Sequence, residues 1–277
     1  MHHRRCPAED RAVSPLRRAQ TGSAARPRHR NGQGAPGRAQ VCPRDSRREL
    51  KLRVAVVIPA FQAAATIGDV VARTRAALPE AQVIVVDDGS SDGTGDEGRE
   101  RGATVVTHPR NRGKGVALRA GVARACANGA GVIVTLDADG QHPPEEIPRL
   151  LVPLAEGSAD LVLGARKRDG LMPFSRRFTN WLSAALASRI GGQPVNDAQT
   201  GFRAFTREVA ERVKPVGDRY EYEANFLLDA LRDRYRVASV AVPTLYGPRS
   251  HFRSLADTWR MAGAFARHAG RIVRGAM

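Results

Sequence analysis

Two acidic clusters each follow a short apolar run, and the first consists of Asp137 and Asp139 with Gln141 just beyond them. Carboxylates at positions i and i+2 of a loop can turn toward one point, and hard oxygen ligands suit Mg²⁺ or Mn²⁺, which also bind phosphate oxygens. Two aspartates spaced in this way, with no other signal, more often form a solvated acidic turn. Because a second cluster accompanies it, we predict a metal site formed by Asp137, Asp139 and Gln141.

The second cluster begins with Asp87, Asp88, Gly89 and Ser90. A carboxylate at the end of the second strand of an open sheet is a common position for holding a nucleotide base or a ribose hydroxyl. The same residues also make good turns and caps, so two interpretations remain open for this cluster taken alone.

A glycine-rich turn at residues 111–115, with Lys114 in it, precedes a predicted helix. Glycine lets the backbone approach a ligand closely, and a helix N-terminus favours phosphate. The spacing is not that of a P-loop, and no G-x-G-x-x-G follows the first apolar run. A dinucleotide cofactor is therefore disfavoured.

Strand-like apolar runs alternate with helical patterns around these clusters. Strands are predicted at 52–58, 83–86, 103–107, 131–136, 161–163, 201–205 and 237–242, and helices at 66–78, 116–127, 144–154, 174–190, 220–234 and 254–273. This alternation is typical of an α/β fold with a mostly parallel central sheet flanked by helices. Ligands of such sheets lie beyond the carboxyl ends of the strands, where both acidic clusters fall.

Composition divides the 277 residues into three parts. Residues 1–50 contain 12 Arg against 4 acidic residues and show almost no apolar periodicity, so a disordered basic tail is expected. Residues 51–253 form the predicted catalytic domain, and residues 254–277 form a basic amphipathic helix. The net charge of +16 is compatible with nucleic acid, anionic lipid or phosphate substrates.

The sequence suggests a reducing compartment and no membrane span. Three cysteines show no pairing pattern and no zinc-ligand spacing. No apolar run is long enough for a transmembrane helix, and the N-terminus lacks the apolar segment of a secretory signal. We expect a cytoplasmic protein that associates peripherally with a membrane or a membrane-protein partner, because the helix at 254–273 carries a Trp and several arginines.

The motifs taken together resemble glycosyltransferase family 2, and more narrowly its dolichyl-phosphate mannosyltransferase and polyprenyl-phosphate sugar transferase branch. The resemblance spans about residues 53–260. It lies in VIPAF at 57–61, VVDDGSSDGT at 85–94, NRGKG at 111–115, LDADGQHPPE at 136–145, GAR at 164–166, DAQTGFR at 197–203 and YEYE at 220–223.

This resemblance implies a GT-A fold, with a Rossmann-like nucleotide-binding half and an acceptor-binding half. It implies inverting transfer of a hexose from a nucleotide-diphosphate sugar to a polyprenyl phosphate, with Mg²⁺ or Mn²⁺ as cofactor. The implied donor-binding residues are Pro59, Ala60, Asp87, Asp88, Gly89, Lys114 and Asp137. The implied acceptor-binding residues are Arg166, Arg176 and Arg177, and the implied catalytic residues are Asp139, Asp197 and Arg203.

One stretch departs from the family pattern. The first strand of the family usually ends Pro-Ala-Tyr-Asn-Glu-Glu, whereas residues 59–64 here are Pro-Ala-Phe-Gln-Ala-Ala. That stretch borders the nucleotide base in the family, so the identity of the base stays open.

Two other functions are compatible with parts of the sequence. One is a family 2 transferase that acts on a sugar hydroxyl in glycan or polysaccharide synthesis, with Asp197 as its base. The other is a nonenzymatic basic protein whose Arg-rich tail binds nucleic acid. The acidic clusters oppose the second, because they repel nucleic-acid phosphates, and we expect no nucleic-acid partner.

Overall fold

The computed structural model describes residues 53–166 and 174–243, and it describes side chains for residues 53–166 and 180–243. The strands are β1 (Val54–Ala60), β2 (Gln82–Asp87), β3 (Thr104–Thr107), β4 (Val132–Thr135), β5 (Leu161–Arg166), β6 (Arg203–Thr206) and β7 (Val237–Val242). The helices are α1 (Ala64–Ala77), α2 (Thr94–Glu100), α3 (Lys114–Ala127), α4 (Ile147–Ala155), α5 (Phe174–Gly191), α6 (Arg207–Arg212) and α7 (Glu221–Arg232).

The strands form one sheet in the order β3-β2-β1-β4-β6-β5-β7. Strand β6 pairs antiparallel with both β4 and β5, and every other pairing is parallel. Six strands therefore run in one direction, and the prediction of a mostly parallel central sheet is confirmed. The carboxyl ends of β1, β2 and β4, which are adjacent, lie at one edge of the sheet.

Both faces of the sheet are buried, which explains why its strands are almost uniformly apolar. Along β1, Ala55 and Val57 belong to one core, and Val56 and Ile58 belong to the other. The first core contains residues of α3, α6 and α7, and the second contains residues of α1 and α4. Helices on both faces hold the strand ends, and thus the acidic clusters, in fixed positions.

Most predicted elements appear within a few residues of their expected bounds, and the strand at 237–242 has the expected bounds. Two helices were missed. Helix α2 has the sequence TGDEGRE and helix α6 is six residues long, so neither shows enough apolar periodicity to predict a helix. The expected tail at 1–50 and the helix at 254–273 lie outside the described residues.

None of the helices in the described ranges is long and apolar enough to cross a membrane.

Close packing of α3 on the sheet depends on Gly121. A Cβ on Gly121 would lie 2.3 Å from Val57 Cγ1 and 3.0 Å from Val86 Cγ2. We expect Gly121→Ala to lower the free energy of unfolding by about 1–3 kcal/mol, because the added methyl group overpacks this contact. Urea unfolding followed by circular dichroism measures the change.

A matched control is Gly68→Ala in α1, where the new Cβ would meet the flexible end of Glu97 at 3.1 Å. This substitution is expected to be neutral or stabilising, because alanine favours a helix more than glycine does. If both substitutions changed the free energy of unfolding equally, the effect at Gly121 would not come from its packing on the sheet.

Candidate active site

The end of β2 holds Asp87 in a tight turn. Asp87 Oδ1 accepts a hydrogen bond of 2.9 Å from the backbone N–H of Ser90, and the side chain is buried. Gly95 of α2 leaves room for the carboxylate, because a Cβ there would lie 2.9 Å from Asp87 Oδ2. The structure therefore places Asp87 at the carboxyl end of the sheet, as predicted.

The carboxylate of the neighbouring Asp88 binds backbone N–H groups of the protein. Its carboxylate accepts hydrogen bonds from the backbone N–H groups of Arg112, at 3.0 Å, and Gly113, at 2.7 Å. His108 Nδ1 lies 2.7 Å from Asp88 Oδ1. Both carboxylate oxygens thus bind the loop before α3. Asp88 anchors that loop, and the expected direct contact with the donor has no support in this geometry.

The N-terminus of α3 is also occupied by protein atoms. The carbonyl oxygen of Asp218 accepts a hydrogen bond of 2.9 Å from Gly115 N. A Cβ on Gly113 would lie 2.3 Å from the same oxygen. The glycines therefore admit a neighbouring loop, and the N–H groups of Gly113 and Gly115 donate to Asp88 and Asp218. Phosphate binding at this helix end stays a prediction that these two N–H groups do not support.

Lys114, at the start of α3, connects two carboxylates. Its Nζ lies 2.7 Å from Asp137 Oδ1 and 3.0 Å from Glu223 Oε2. Asp137 follows β4, and Glu223 belongs to α7, so three separate elements meet at one ammonium group. Gly201 lies directly behind Asp137, because a Cβ on it would be 2.7 Å from Asp137 Oδ2.

Burial and charge act in opposite directions on this cluster. Burial opposes the charge of Lys114, yet Asp137 and Glu223 raise the pKa of the ammonium overall. Burial also opposes ionisation of Asp137, but Lys114 lowers the pKa of that carboxyl. For Glu223, burial and the nearby Asp137 raise the pKa, and Lys114 offsets this only in part. Lys114 and Asp137 are therefore the firmly charged pair.

Asp139 lies in the turn that follows Asp137. Its Oδ1 accepts a hydrogen bond of 3.0 Å from Gln141 N, and Gly140 makes the turn with a φ of 71°. Within the described ranges, no group of three or more His, Cys, Asp or Glu side chains forms a ready metal cage. Mg²⁺ is usually held by one or two carboxylates plus substrate phosphates, and Asp137 and Asp139 fit that kind of site.

Asp197 and Arg166 form a buried pair. Arg166 Nε donates to Asp197 Oδ2 at 2.8 Å, and Arg166 Nη2 donates to Oδ1 at 3.1 Å. Gln199 N also donates to Oδ1, at 3.1 Å. Burial opposes the charge, but Arg166 lowers the pKa of Asp197 overall. Asp197 therefore orients Arg166, and its alternative role as a general base has no support in this geometry.

Arg203 is 2% exposed and binds backbone carbonyl groups. Nε donates to Thr200 O at 2.8 Å, Nη1 to Glu223 O at 2.6 Å and Nη2 to Ala198 O at 3.2 Å. The family resemblance implies a catalytic role for this guanidinium. The structure instead gives it a supporting role, because its donors join the 198–200 segment to α7.

His142 is buried against Phe202, with ring centroids 5.5 Å apart. Burial lowers the pKa of His142 to about 4, although Asp137 partly opposes this. The side chain is therefore neutral near pH 7 and packs in the interior.

The loop after β1 is tied to the loop after β2. Gln62 has a φ of 52°, and its backbone N–H donates to Ser90 Oγ at 3.0 Å. Gln62 Nε2 donates to Ser91 Oγ at 3.0 Å. Pro59 and Ala60 precede this loop, pairing with Val86 and Asp87 in the parallel register of β1 and β2. The departure from the family pattern thus lies beside Asp87.

Sequence reasoning missed one residue of this site, Glu223. In the sequence, Glu223 stands out only as part of the YEYE motif. The local sequence pattern of α7 does not show whether a residue at this position faces the site or the core. Arg176 and Arg177 are predicted to bind the acceptor. Their side chains are not among those that the structure describes.

Comparison with known proteins identifies the family and agrees with the fold. The sequence model of glycosyl transferase family 2 matches residues 55–214, and this chain belongs to that family. An undecaprenyl-phosphate mannosyltransferase of Micrococcus luteus is 34% identical over 171 residues, which cover 58% of this chain and 70% of the relative. An uncharacterized protein of Methanocaldococcus jannaschii is 32% identical over 204 residues, covering 71% of this chain and 83% of that protein.

A solved structure shows the same architecture. It is glucosyl-3-phosphoglycerate synthase from Mycobacterium tuberculosis, in complex with Mn²⁺, uridine-diphosphate-glucose and phosphoglyceric acid. The TM-score is 0.65 at 26% identity, and the match covers 79% of this chain and 80% of that one. The GT-A fold implied by the sequence motifs is thereby confirmed, and the chain is a glycosyltransferase.

The anchoring role of Asp88 can be tested by substitution. We expect Asp88→Ala to lower the free energy of unfolding by about 2–3 kcal/mol, because the buried N–H of Gly113 and the partly buried N–H of Arg112 lose a charged acceptor. Asp88→Asn, which keeps one acceptor oxygen, is expected to lose less. Urea unfolding compares both with Asp96→Ala, which alters an exposed salt bridge. Wild-type stability of Asp88→Ala would contradict the anchoring role.

Proposed function

We propose that this chain transfers a hexose, with inversion, from a nucleotide-diphosphate sugar to a polyprenyl phosphate. The observation that carries the proposal is the similarity to several relatives that are named for such acceptors. In addition, this chain has acidic residues at the carboxyl ends of β2 and β4. These relatives include the Micrococcus luteus enzyme and a polyprenol monophosphomannose synthase of Mycolicibacterium smegmatis, 33% identical over 171 residues.

The donor is proposed to lie across the carboxyl ends of β1, β2 and β4. Asp87 would hold the nucleoside, since it is fixed at the end of β2 beside the loop after β1. Asp137 and Asp139 would hold Mg²⁺ or Mn²⁺, which neutralises charge on the departing diphosphate when bound. Solved neighbours contain Mn²⁺ together with uridine diphosphate, which supports this use of a metal.

The protein residues contribute charge and orientation. Lys114 places a firmly charged ammonium beside Asp137, close to where the diphosphate is proposed to lie. Arg166, held by Asp197, is proposed to bind the acceptor phosphate. In the reaction, an acceptor phosphate oxygen forms a bond to the anomeric carbon while the bond from that carbon to the diphosphate oxygen breaks. The acceptor oxygen is already anionic near pH 7, so no strong general base is needed.

Helix α5 supplies a surface for the lipid chain. Trp181, Leu182 and Leu186 are 51%, 42% and 39% exposed, whereas Ala184 and Ala187 on the opposite side of the helix are buried. Arg176 and Arg177 fall in the first turn of the same helix. We infer that the polyprenyl chain lies along the exposed apolar face, with its phosphate toward that first turn. Peripheral association with the cytoplasmic face of a membrane, where such a lipid is accessible, is part of this proposal.

The alternative acceptor is a hydroxyl group. The solved glucosyl-3-phosphoglycerate synthase was crystallised with phosphoglyceric acid, so the same fold accommodates a small phosphorylated acceptor. Transfer assays with undecaprenyl phosphate, 3-phosphoglycerate and a glycan acceptor, each with GDP- and UDP-sugars, separate these functions. Transfer to the lipid phosphate alone supports the proposal, and transfer only to a hydroxyl overturns it.

Metal dependence is tested at Asp139. We expect Asp139→Ala to reduce the rate of transfer by roughly three orders of magnitude, because removing charge stabilisation from the leaving group raises the barrier. Excess EDTA is expected to abolish wild-type transfer, and added Mn²⁺ to restore it. Unchanged circular dichroism would establish that the variant folds. Full activity of the variant, or of the wild type in EDTA, would exclude the proposed metal site.

The acceptor surface is tested on α5. We expect Leu182→Ser and Leu186→Ser together to raise the KM for undecaprenyl phosphate by about tenfold, because two apolar contacts with the lipid are lost. The donor KM is expected to change by less than about twofold, since the substitutions lie on a different surface. Steady-state kinetics in detergent measures both.

The matched control is Val152→Ser on α4, where the side chain is 49% exposed. It removes a similarly exposed apolar group from another helix and should leave both KM values unchanged. Equal effects of the α5 and α4 substitutions on the acceptor KM would rule out α5 as the lipid surface.

A further inference from the structure

Glu223 lies at the same ammonium group as Asp137 but outside the acidic turn. Its side chain is 10% exposed, and Oε1 has no hydrogen-bond partner among the described residues. Its other oxygen, Oε2, lies 3.0 Å from Lys114 Nζ, nearly as close as Asp137 Oδ1 at 2.7 Å. Lys114 thus has two carboxylate partners, and only Asp137 belongs to the proposed metal site.

We propose that Glu223 is a positioning residue, which takes over the Lys114 ammonium when a divalent cation binds Asp137. This rests on the proposed function, in which Asp137 and Asp139 hold the metal. The Lys114 ammonium lies 2.7 Å from the Asp137 carboxylate. A divalent cation bound to the same carboxylate repels this ammonium. A shift toward Glu223 keeps the ammonium paired, and Oε1, which has no partner among the described residues, offers a second acceptor for it.

The backbone of Glu223 is fixed independently of its side chain. Arg203 Nη1 donates to Glu223 O at 2.6 Å, and the same guanidinium binds the carbonyl groups of Thr200 and Ala198. Substitution of the carboxylate therefore leaves this anchor in place. The position of α7 is set by Arg203, and the carboxylate is available to pair with Lys114.

This shift of the Lys114 ammonium from Asp137 to Glu223, here called the handover, makes metal binding depend on the nucleotide-sugar donor. Without a nucleotide, the metal competes with Lys114 for Asp137, so it binds weakly. A diphosphate supplies anionic oxygens for both the metal and the ammonium, so the metal and the nucleoside diphosphate stabilise each other. Lys114 thereby limits occupation of the site by metal alone, and Glu223 relieves part of this limit by accepting the ammonium group.

Binding of Mn²⁺ to the full chain, measured from the electron paramagnetic resonance of free Mn²⁺, tests this without any catalytic turnover. Lys114→Gln is expected to bind Mn²⁺ alone roughly tenfold more tightly than wild type, because the competing charge is gone. Glu223→Gln is expected to bind it roughly fivefold more weakly, because Lys114 then has only Asp137. Where Lys114→Gln does not fold, Lys114→Met keeps the apolar stem and serves instead.

The double variant separates handover from the simple loss of a negative charge. If Glu223 acts through Lys114, Glu223→Gln on the Lys114→Gln background changes the Mn²⁺ affinity by less than about twofold. If Glu223 acts on the metal directly, the full loss persists in the double variant and the inference is overturned. The control Glu211→Gln removes a carboxylate that pairs with Arg207 on α6, and it should not alter Mn²⁺ binding.

Nucleotides complete the test. UDP or GDP is expected to tighten Mn²⁺ binding to the wild type, and this gain is expected to shrink in Lys114→Gln. An unchanged gain, or unchanged Mn²⁺ affinity in Lys114→Gln, overturns the inference while leaving the proposed metal site intact. Absence of Mn²⁺ binding to the wild type even with UDP and GDP would instead overturn the metal-dependent function itself.

Discussion

The largely buried ion pair between Lys114 and Asp137, whose side chains are 18% and 27% exposed, is the interaction on which the site depends. Charges out of water are costly unless their partners are held closely, so the elements that carry this pair must keep a fixed relation. The structure secures each of them separately. Asp88 anchors the loop before Lys114, and Arg203 joins α7, with Glu223, to the segment that passes behind Asp137. Much of the polar network beneath the site therefore serves to position one ammonium group.

Small residues make this convergence sterically possible. The backbone at Gly201 lies against Asp137, and the backbone at Gly113 and Gly115 lies against the loop at Asp218, at distances that leave no space for a Cβ. From sequence alone, a glycine-rich turn before a helix suggests a phosphate-binding loop. Here the same residues permit protein loops to pack closely, and the N–H groups of Gly113 and Gly115 are bonded to Asp88 and Asp218.

The fold and the location of the site were predictable because they depend on local pattern. Uniformly apolar strands separated by helices indicate a sheet covered on both faces, and acidic residues directly after strands must fall at its edge. The roles of Asp88, Asp197 and Arg203 were not predictable in this way. Several of their partners are backbone atoms, and others lie up to 31 residues away in the sequence. Side-chain type alone therefore suggests a ligand contact. Glu223 was missed because its helical position resembles a core position.

The loop after β1 illustrates how a departure from the family pattern can be compensated. Residues 61–64 lack the tyrosine, asparagine and glutamates of the family, yet the loop is held by hydrogen bonds from Gln62 to Ser90 and Ser91 and from Ala63 to Thr94. These partners belong to the segment that begins at Asp87, the residue proposed to hold the nucleoside. The shape of the proposed nucleoside-binding end is therefore set by two loops together. We expect a change of base preference to need changes in both loops, because Gln62 adopts its positive φ while bonded to Ser90 and Ser91.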